Sequence, residues 1–204
     1  MVFFHLKFNI MKKILLLAAA LTVSVAAYSQ NIQWGAKAGL NMSSISNTDD
    51  ADPKISFHAG VFADVQINDF LSFQPELLYS RQGDVFKDGS DYKVWSQYNY
   101  VNVPLVVKLY VTEKLSVNIG PQFGFVIDAW SRVKFDGSTD SEKIDSDAYN
   151  SFDASAAMGL TYNMCQNIDV YARYNLGLTD MAKDNPSNDK FKNNVIQIGV
   201  GYRF

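Results

Sequence analysis

This 204-residue sequence has little cysteine and no excess of positive charge. Cys165 is the single cysteine, so a disulfide framework or a cysteine zinc cluster within one chain is excluded. The 18 Lys and Arg residues are outnumbered by 21 Asp and Glu residues, which gives a net charge of −3. Because no basic stripe is present to neutralise phosphates, we expect no nucleic-acid partner.

A long apolar run is also missing, since the longest one covers only residues 14–27. A membrane-spanning helix needs about 20 apolar residues. The run follows two lysines and ends at small residues before Gln30, as in a cleaved secretory signal peptide. We therefore predict a signal peptide at 1–29 and one domain at 30–204. Residues 1–10 are an upstream extension if Met11 is the true start.

Apolar residues recur at every second position after Gln30, which is the period of a β-strand. Eight segments show this alternation: 33–43, 55–67, 71–79, 101–109, 115–127, 152–164, 168–178 and 196–204. Short links alternate with long polar ones, at 44–54, 82–97, 128–150 and 180–194. This pattern predicts an all-β fold, an eight-stranded antiparallel up-and-down transmembrane β-barrel with short periplasmic turns and long extracellular loops.

The placement of charge predicts which face of the barrel meets lipid. The apolar register of the eight segments contains no Asp, Glu, Lys or Arg, as expected for a face in contact with lipid. The opposite register is rich in glycine and small polar residues, and its charges are balanced in sign, as a sealed interior requires. We predict an interior charge network of Lys37, Asp64, Glu76, Lys108, Asp153, Asp169, Arg173 and Arg203.

Three prolines interrupt the predicted strands. Pro75, Pro104 and Pro121 cannot donate to a strand ladder, and a closed barrel has no free edge for them. We expect them at bulges or near strand ends, with Pro104 and Pro121 marking one local kink.

The last residues resemble the terminal assembly signal of bacterial outer-membrane barrels, which the barrel-assembly machinery reads. The residues that carry this resemblance are Gln197, Gly199, Tyr202 and Phe204. Three internal stretches, YVNVPLVVK at 100–108, NIGPQFG at 118–124 and ARYNLGLTD at 172–180, resemble the PorT-like family of small Gram-negative outer-membrane β-barrels. The resemblance implies an OmpA-like eight-stranded barrel in the outer membrane. It does not transfer the founding member's role in secretion.

Few residues suggest chemistry. His58 is the only histidine after residue 29, and Ser56 beside it could be imagined as a nucleophile, but we predict a structural interior histidine, no catalytic residues and no enzyme activity. Asp49, Asp50 and Asp52 lack the glycine and terminal glutamate of a calcium loop. No metal and no cofactor is expected.

Aromatic residues in the long loops leave two interpretations open. Trp95, Trp130 and Tyr149 lie near strand ends and suit an aromatic girdle, or they are loop contacts for a partner.

The function that we predict is a monomeric, closed-lumen outer-membrane barrel with a structural or loop-mediated binding role. Its expected partners are outer-membrane lipid, the barrel-assembly machinery and an extracellular or envelope protein. The alternatives are an accessory of a secretion or envelope-assembly complex, a small pore, a barrel hydrolase and a secreted lipocalin-like barrel that binds an apolar ligand.

Overall fold

The computed structural model of the chain describes residues 32–46, 51–88, 92–135, 138–145, 149–181 and 190–204. The predicted signal peptide, Asp49 and Asp50 lie outside these residues. Among the described residues, no helix has the length and hydropathy needed to cross a membrane. The strands are β1 Ile32–Ile45, β2 Ala51–Asn68, β3 Leu71–Gln82, β4 Asp84–Asp88, β5 Tyr92–Tyr110, β6 Leu115–Phe135, β7 Ser138–Lys143, β8 Phe152–Asn163, β9 Ile168–Gly177 and β10 Asn193–Arg203.

The strands form a closed antiparallel barrel. The ring runs β1, β2, β3, β5, β6, β8, β9 and β10, and β10 pairs with β1 to close it. Strand β4 continues the path of β3 beyond Gly83 and pairs with β2 and β5. Gly83 has a φ of 138°, and a Cβ there would lie 2.2 Å from the carbonyl oxygen of Ser96, so this break requires glycine. The predicted fold class, an eight-stranded barrel, is confirmed.

The two faces of the wall differ as the sequence predicts. Leu40, Ile55 and Ile198 are exposed on the outside, while the charged residues of the opposite register are buried inside. A soluble barrel would place its apolar register around an internal cavity, so the lipocalin-like alternative is wrong. The hydrophobic outer wall removes apolar surface from water only when lipid surrounds it.

Two of the predicted loops each contain an additional strand, β4 or β7. Residues 82–97 include β4 and the start of β5, and residues 128–150 include the end of β6 and all of β7. Cross-strand pairs such as Val94 with Val133 and Trp95 with Arg132 join β5 to β6 there. Polar residues dominate these extensions because no lipid contacts them, so the alternation that marks a membrane strand is weak. We call the end of the barrel that carries these extensions the loop end and the opposite one the turn end.

The three prolines lie inside strands, and the prediction of bulges or strand ends is wrong. Between β3 and β5, Pro75 pairs with Leu105, and the next pair along the strands is Leu78 with Asn102. The register is the same on both sides of this gap. The register shifts occur elsewhere, at Gln66/Asn68 in β2 and Asn99/Tyr100 in β5. Each missing N–H therefore interrupts the ladder locally, while the paired segments on either side keep the strands aligned.

Candidate functional site

An ion cluster spans the lumen at Glu76. Lys37 Nζ donates to Glu76 Oε1 at 2.8 Å, and Arg173 donates from Nη1 to Oε2 at 2.9 Å and from Nη2 to Oε1 at 2.6 Å. Gln74 Nε2 adds a bond of 2.7 Å to the same carboxylate. Glu76 lies on β3 and Arg173 on β9, four strands apart in either direction around the ring. All of these side chains are buried, so the cluster lies across the lumen between opposite walls of the barrel.

Two further ion pairs lie nearer the turn end. Lys108 donates to Asp64 Oδ2 at 2.8 Å and to the side-chain oxygen Gln74 Oε1 at 3.2 Å. Arg203 Nη2 lies 3.5 Å from the Asp169 carboxylate and donates to Asn163 at 2.9 Å. Buried charges cost little only when an opposite charge and hydrogen bonds compensate them, and these two pairs meet that condition.

Asp153 departs from the predicted network. Its carboxylate accepts from the Thr179 hydroxyl at 2.5 Å, and none of the four ion pairs among the described residues includes it. The charges of the predicted network therefore do not pair one to one, because Glu76 takes both Lys37 and Arg173.

Both ring nitrogens of His58 are hydrogen-bonded to side chains of the lumen. Its Nδ1 bonds Asn41 Oδ1 at 2.7 Å, and its Nε2 bonds the Tyr171 hydroxyl at 2.5 Å. Ser56 donates to the Arg81 carbonyl oxygen at 2.6 Å and does not pair with His58. Asn41 and Tyr171 could not be predicted as the partners of His58 from the sequence, since only their inward register marks them.

The loop-end aromatic residues occupy different environments. Trp95 and Trp130 are partly exposed on the paired extensions of β5 and β6. Tyr149 is only 6% exposed and packs edge-on against Tyr98, with ring centroids 5.8 Å apart. Burial, aided by the carboxylates of Asp128 and Asp145, raises the pKa of the Tyr149 phenol above its ordinary value. Tyr149 therefore suits neither an exposed girdle nor a partner contact.

The proposed assembly-signal residues divide between the two faces of β10. Gln197 and Gly199 point inward, and Gln197 donates to Asn41 at 3.0 Å. Tyr202 and Phe204 point outward with ring centroids 5.9 Å apart, and Phe204 is 74% exposed. The aromatic pair is thus free to contact lipid or protein.

A polar vestibule of about 750 Å³ opens at the turn end. Its lining consists of Gln33, Gln66, Asp69, Tyr110, Glu113, Asn163, Gln166, Asn167 and Arg203. Cys165 lies exposed in the neighbouring turn as a free thiol. Within the described part of the chain, no group of three His, Cys, Asp or Glu side chains is placed to hold a metal ion.

A closed antiparallel barrel with an apolar outer wall and a polar, side-chain-filled lumen defines an integral outer-membrane barrel protein. The chain belongs to the outer membrane protein beta-barrel domain family, whose model matches residues 28–183. The protein is accordingly located in the outer membrane. A search of curated proteins finds no match.

Solved structures provide the comparison of folds. Ail of Yersinia pestis, in complex with the heparin analogue sucrose octasulfate, is 15% identical over 86% of this chain and 100% of Ail, with a TM-score of 0.50. Neisserial surface protein A is 17% identical over 85% of this chain and 97% of its own, with a TM-score of 0.49. CarO of Acinetobacter baumannii is 12% identical over 82% of this chain and 97% of CarO, with a TM-score of 0.49. At such identities the similarity to Ail shows the fold alone.

Proposed function

We propose that the protein is a monomeric, non-conducting outer-membrane barrel with a structural or binding role and no catalytic activity. The observation that carries this proposal is the Lys37–Glu76–Arg173 cluster, which joins opposite walls of the lumen. A small pore would need a continuous water path at that height. The hydrolase alternative has little support, because His58 is held by Asn41 and Tyr171.

Planar bilayer recording tests the proposal. Purified, folded protein is expected to give no reproducible conductance steps in concentrated KCl. A unitary conductance that recurs between preparations and survives gel filtration would overturn the closed-lumen proposal. The matched control is denatured protein from the same preparation, which reports any contaminating porin.

The binding role is assigned to the loop-end extension. Strands β5, β6 and β7 project there beyond the apolar wall, and Arg132 lies opposite Trp95 across the β5–β6 pair. Partly exposed tryptophan and arginine are the residue types that dominate protein-binding surfaces. The partner on this side would be an extracellular protein, while lipid contacts the wall and the barrel-assembly machinery reads the last strand during insertion.

An accessory role in an envelope complex is the second candidate, in keeping with the resemblance to the PorT-like family. The turn-end vestibule favours it, because Asp69 and Glu113 line a polar cavity of about 750 Å³ that faces the periplasm. A photo-crosslinking residue placed at Glu113 or at Glu142 in intact cells separates the two roles. Adducts from position 113 alone support the accessory role, and adducts from position 142 alone support binding at the loop end.

A further inference from the structure

The turn-end vestibule is lined almost entirely by planar side chains that form hydrogen bonds. Five of its nine lining residues are asparagine or glutamine, two are carboxylates, and the other two are Tyr110 and Arg203. Among the described residues, no aliphatic side chain lines it. A carboxamide donates through its nitrogen and accepts through its oxygen. The lining therefore suits a ligand that carries many donors and acceptors.

Arg203 offers unused donors at the wall of the vestibule. The residue is only 8% exposed, its Nη2 donates to Asn163 Oδ1 at 2.9 Å, and the Asp169 carboxylate lies 3.5 Å from the same nitrogen. Of the three guanidinium nitrogens, Nη2 alone donates a hydrogen bond within the described part of the chain, and the buried Nε has no partner. A buried donor without an acceptor is destabilising, so an acceptor from a ligand would stabilise Arg203.

The charges of the vestibule disfavour an anionic ligand. Asp69 and Glu113 are exposed carboxylates of the lining. The one cation of the lining, Arg203, already has Asp169 beside it. Since like charges repel, a phosphate or carboxylate group on a ligand would be unfavourable here. The lining thus favours a neutral ligand.

A peptide fits this surface less well than a saccharide does. Peptides commonly add a strand to a free sheet edge or insert apolar side chains into a groove. Every strand of the ring is paired on both sides, and the described lining has no aliphatic side chain. The hydroxyl groups of a saccharide both donate and accept, as the carboxamides do. Its C–H groups can pack against the ring of Tyr110, the one aromatic residue of the lining.

We propose that the turn-end vestibule binds a neutral saccharide of a few sugar rings. The carboxamides and carboxylates of the lining bind its hydroxyl groups, and Arg203 donates to its oxygen atoms. The cavity of about 750 Å³ lies within the range of about 300–1,000 Å³ that small-molecule sites occupy. This binding goes beyond the loop-end role and the accessory role proposed above, and it depends on neither of them.

Nuclear magnetic resonance of the purified barrel in detergent micelles tests the proposal, with the neutral disaccharide N,N′-diacetylchitobiose as the probe. Saturable shifts are expected in the side-chain N–H signals of Arg203 and of the lining carboxamides, but not in those of Gln197, which is buried in the lumen. The hyaluronan disaccharide has the same number of rings and one carboxylate. It is expected to bind roughly three- to tenfold more weakly. The neutral peptide N-acetyl-trialanine amide is expected to give no saturable shift.

Two variants locate the site. Glu113→Ala and Gln33→Ala each remove an exposed polar group of the lining and leave Arg203 and its partners in place. Each is expected to raise the Kd for diacetylchitobiose roughly two- to tenfold, as for the loss of one hydrogen bond. Lys114→Ala is the matched control, because Lys114 is exposed in the same turn as Glu113 but does not line the vestibule. Its Kd is expected to equal that of the wild type.

Four results would overturn the proposal. The first is the absence of a saturable shift with diacetylchitobiose. The second is tighter binding of the hyaluronan disaccharide, which would indicate an anion site. The third is saturable binding of the peptide at the same or a lower concentration, which would indicate a peptide site. The fourth is an unchanged Kd in both Glu113→Ala and Gln33→Ala, which would place the saccharide elsewhere.

Discussion

Replacing Glu76 by glutamine removes the charge that joins the two walls of the barrel and leaves Lys37 and Arg173 without an anion. Four donors converge on this carboxylate at 2.6–2.9 Å. Breaking a buried ion pair from one side costs about 3–5 kcal/mol. We therefore expect the free energy of unfolding to fall by that amount, which is roughly a 100- to 5,000-fold change in the unfolding constant.

The assay is equilibrium unfolding in urea in phospholipid vesicles, followed by tryptophan fluorescence and by the heat-dependent shift in electrophoretic mobility. Glu113→Gln is the control, because the same chemical change occurs on an exposed residue of the turn at 111–114. That variant should stay within about 0.5 kcal/mol of the wild type.

The triple variant Lys37→Met, Glu76→Leu, Arg173→Met separates charge from packing. Apolar replacement of a whole buried ion cluster is often neutral or stabilising, so this variant should recover most of the stability that Glu76→Gln loses. A Glu76→Gln barrel as stable as the wild type would refute the reasoning, since it would mean that water already compensates both cations.

Three further predictions concern the wall, the packing and the last strand. Leu40→Arg places a charge on the exposed apolar wall and should cost about 2–4 kcal/mol in the same assay, whereas Glu142→Arg on the β7 extension should change stability by under about 0.5 kcal/mol. Gly120→Ala would bring Cβ to 2.0 Å from the Leu105 carbonyl oxygen and should cost about 1–3 kcal/mol. Gly201→Ala would meet the Asp169 side chain instead of the backbone and should cost less, and the reverse order would contradict the geometry. Phe204→Ala should reduce the amount of folded barrel in outer-membrane fractions without changing the urea unfolding of the protein that does fold. Phe70→Ala, at an equally exposed phenylalanine, should leave the amount of folded barrel unchanged.

The strands, the closure and the facing of the wall could be predicted from the sequence because lipid imposes a strict rule on one register. A charged residue facing lipid is costly, so the apolar positions of the membrane segments contain none, and the alternation is plain. Beyond the membrane this constraint ends. The extensions of β5 and β6, with pairs such as Lys93–Lys134, therefore read as polar loops although they are paired strands.

The partners inside the lumen could not be predicted, because they depend on how far each strand is staggered against the next. Inward register identifies Lys37, Glu76 and Arg173 as interior residues, but it does not place β9 opposite β3 at the same height. His58 illustrates the same limit, since its partner Tyr171 is 113 positions away in the sequence. Only the accumulated stagger around the ring brings the two side chains together.

Counting charges is therefore a test of whether a barrel interior can be sealed, and not of how it is sealed. Charge in a medium of low dielectric must be compensated at short range, because each unpaired ion carries its own desolvation cost. Glu76 takes two of the cations, whereas Asp153 accepts from the Thr179 hydroxyl and belongs to none of the ion pairs among the described residues. The balanced count of the predicted network is thus compatible with an arrangement that is not one to one, and the stagger of the strands decides which charges meet.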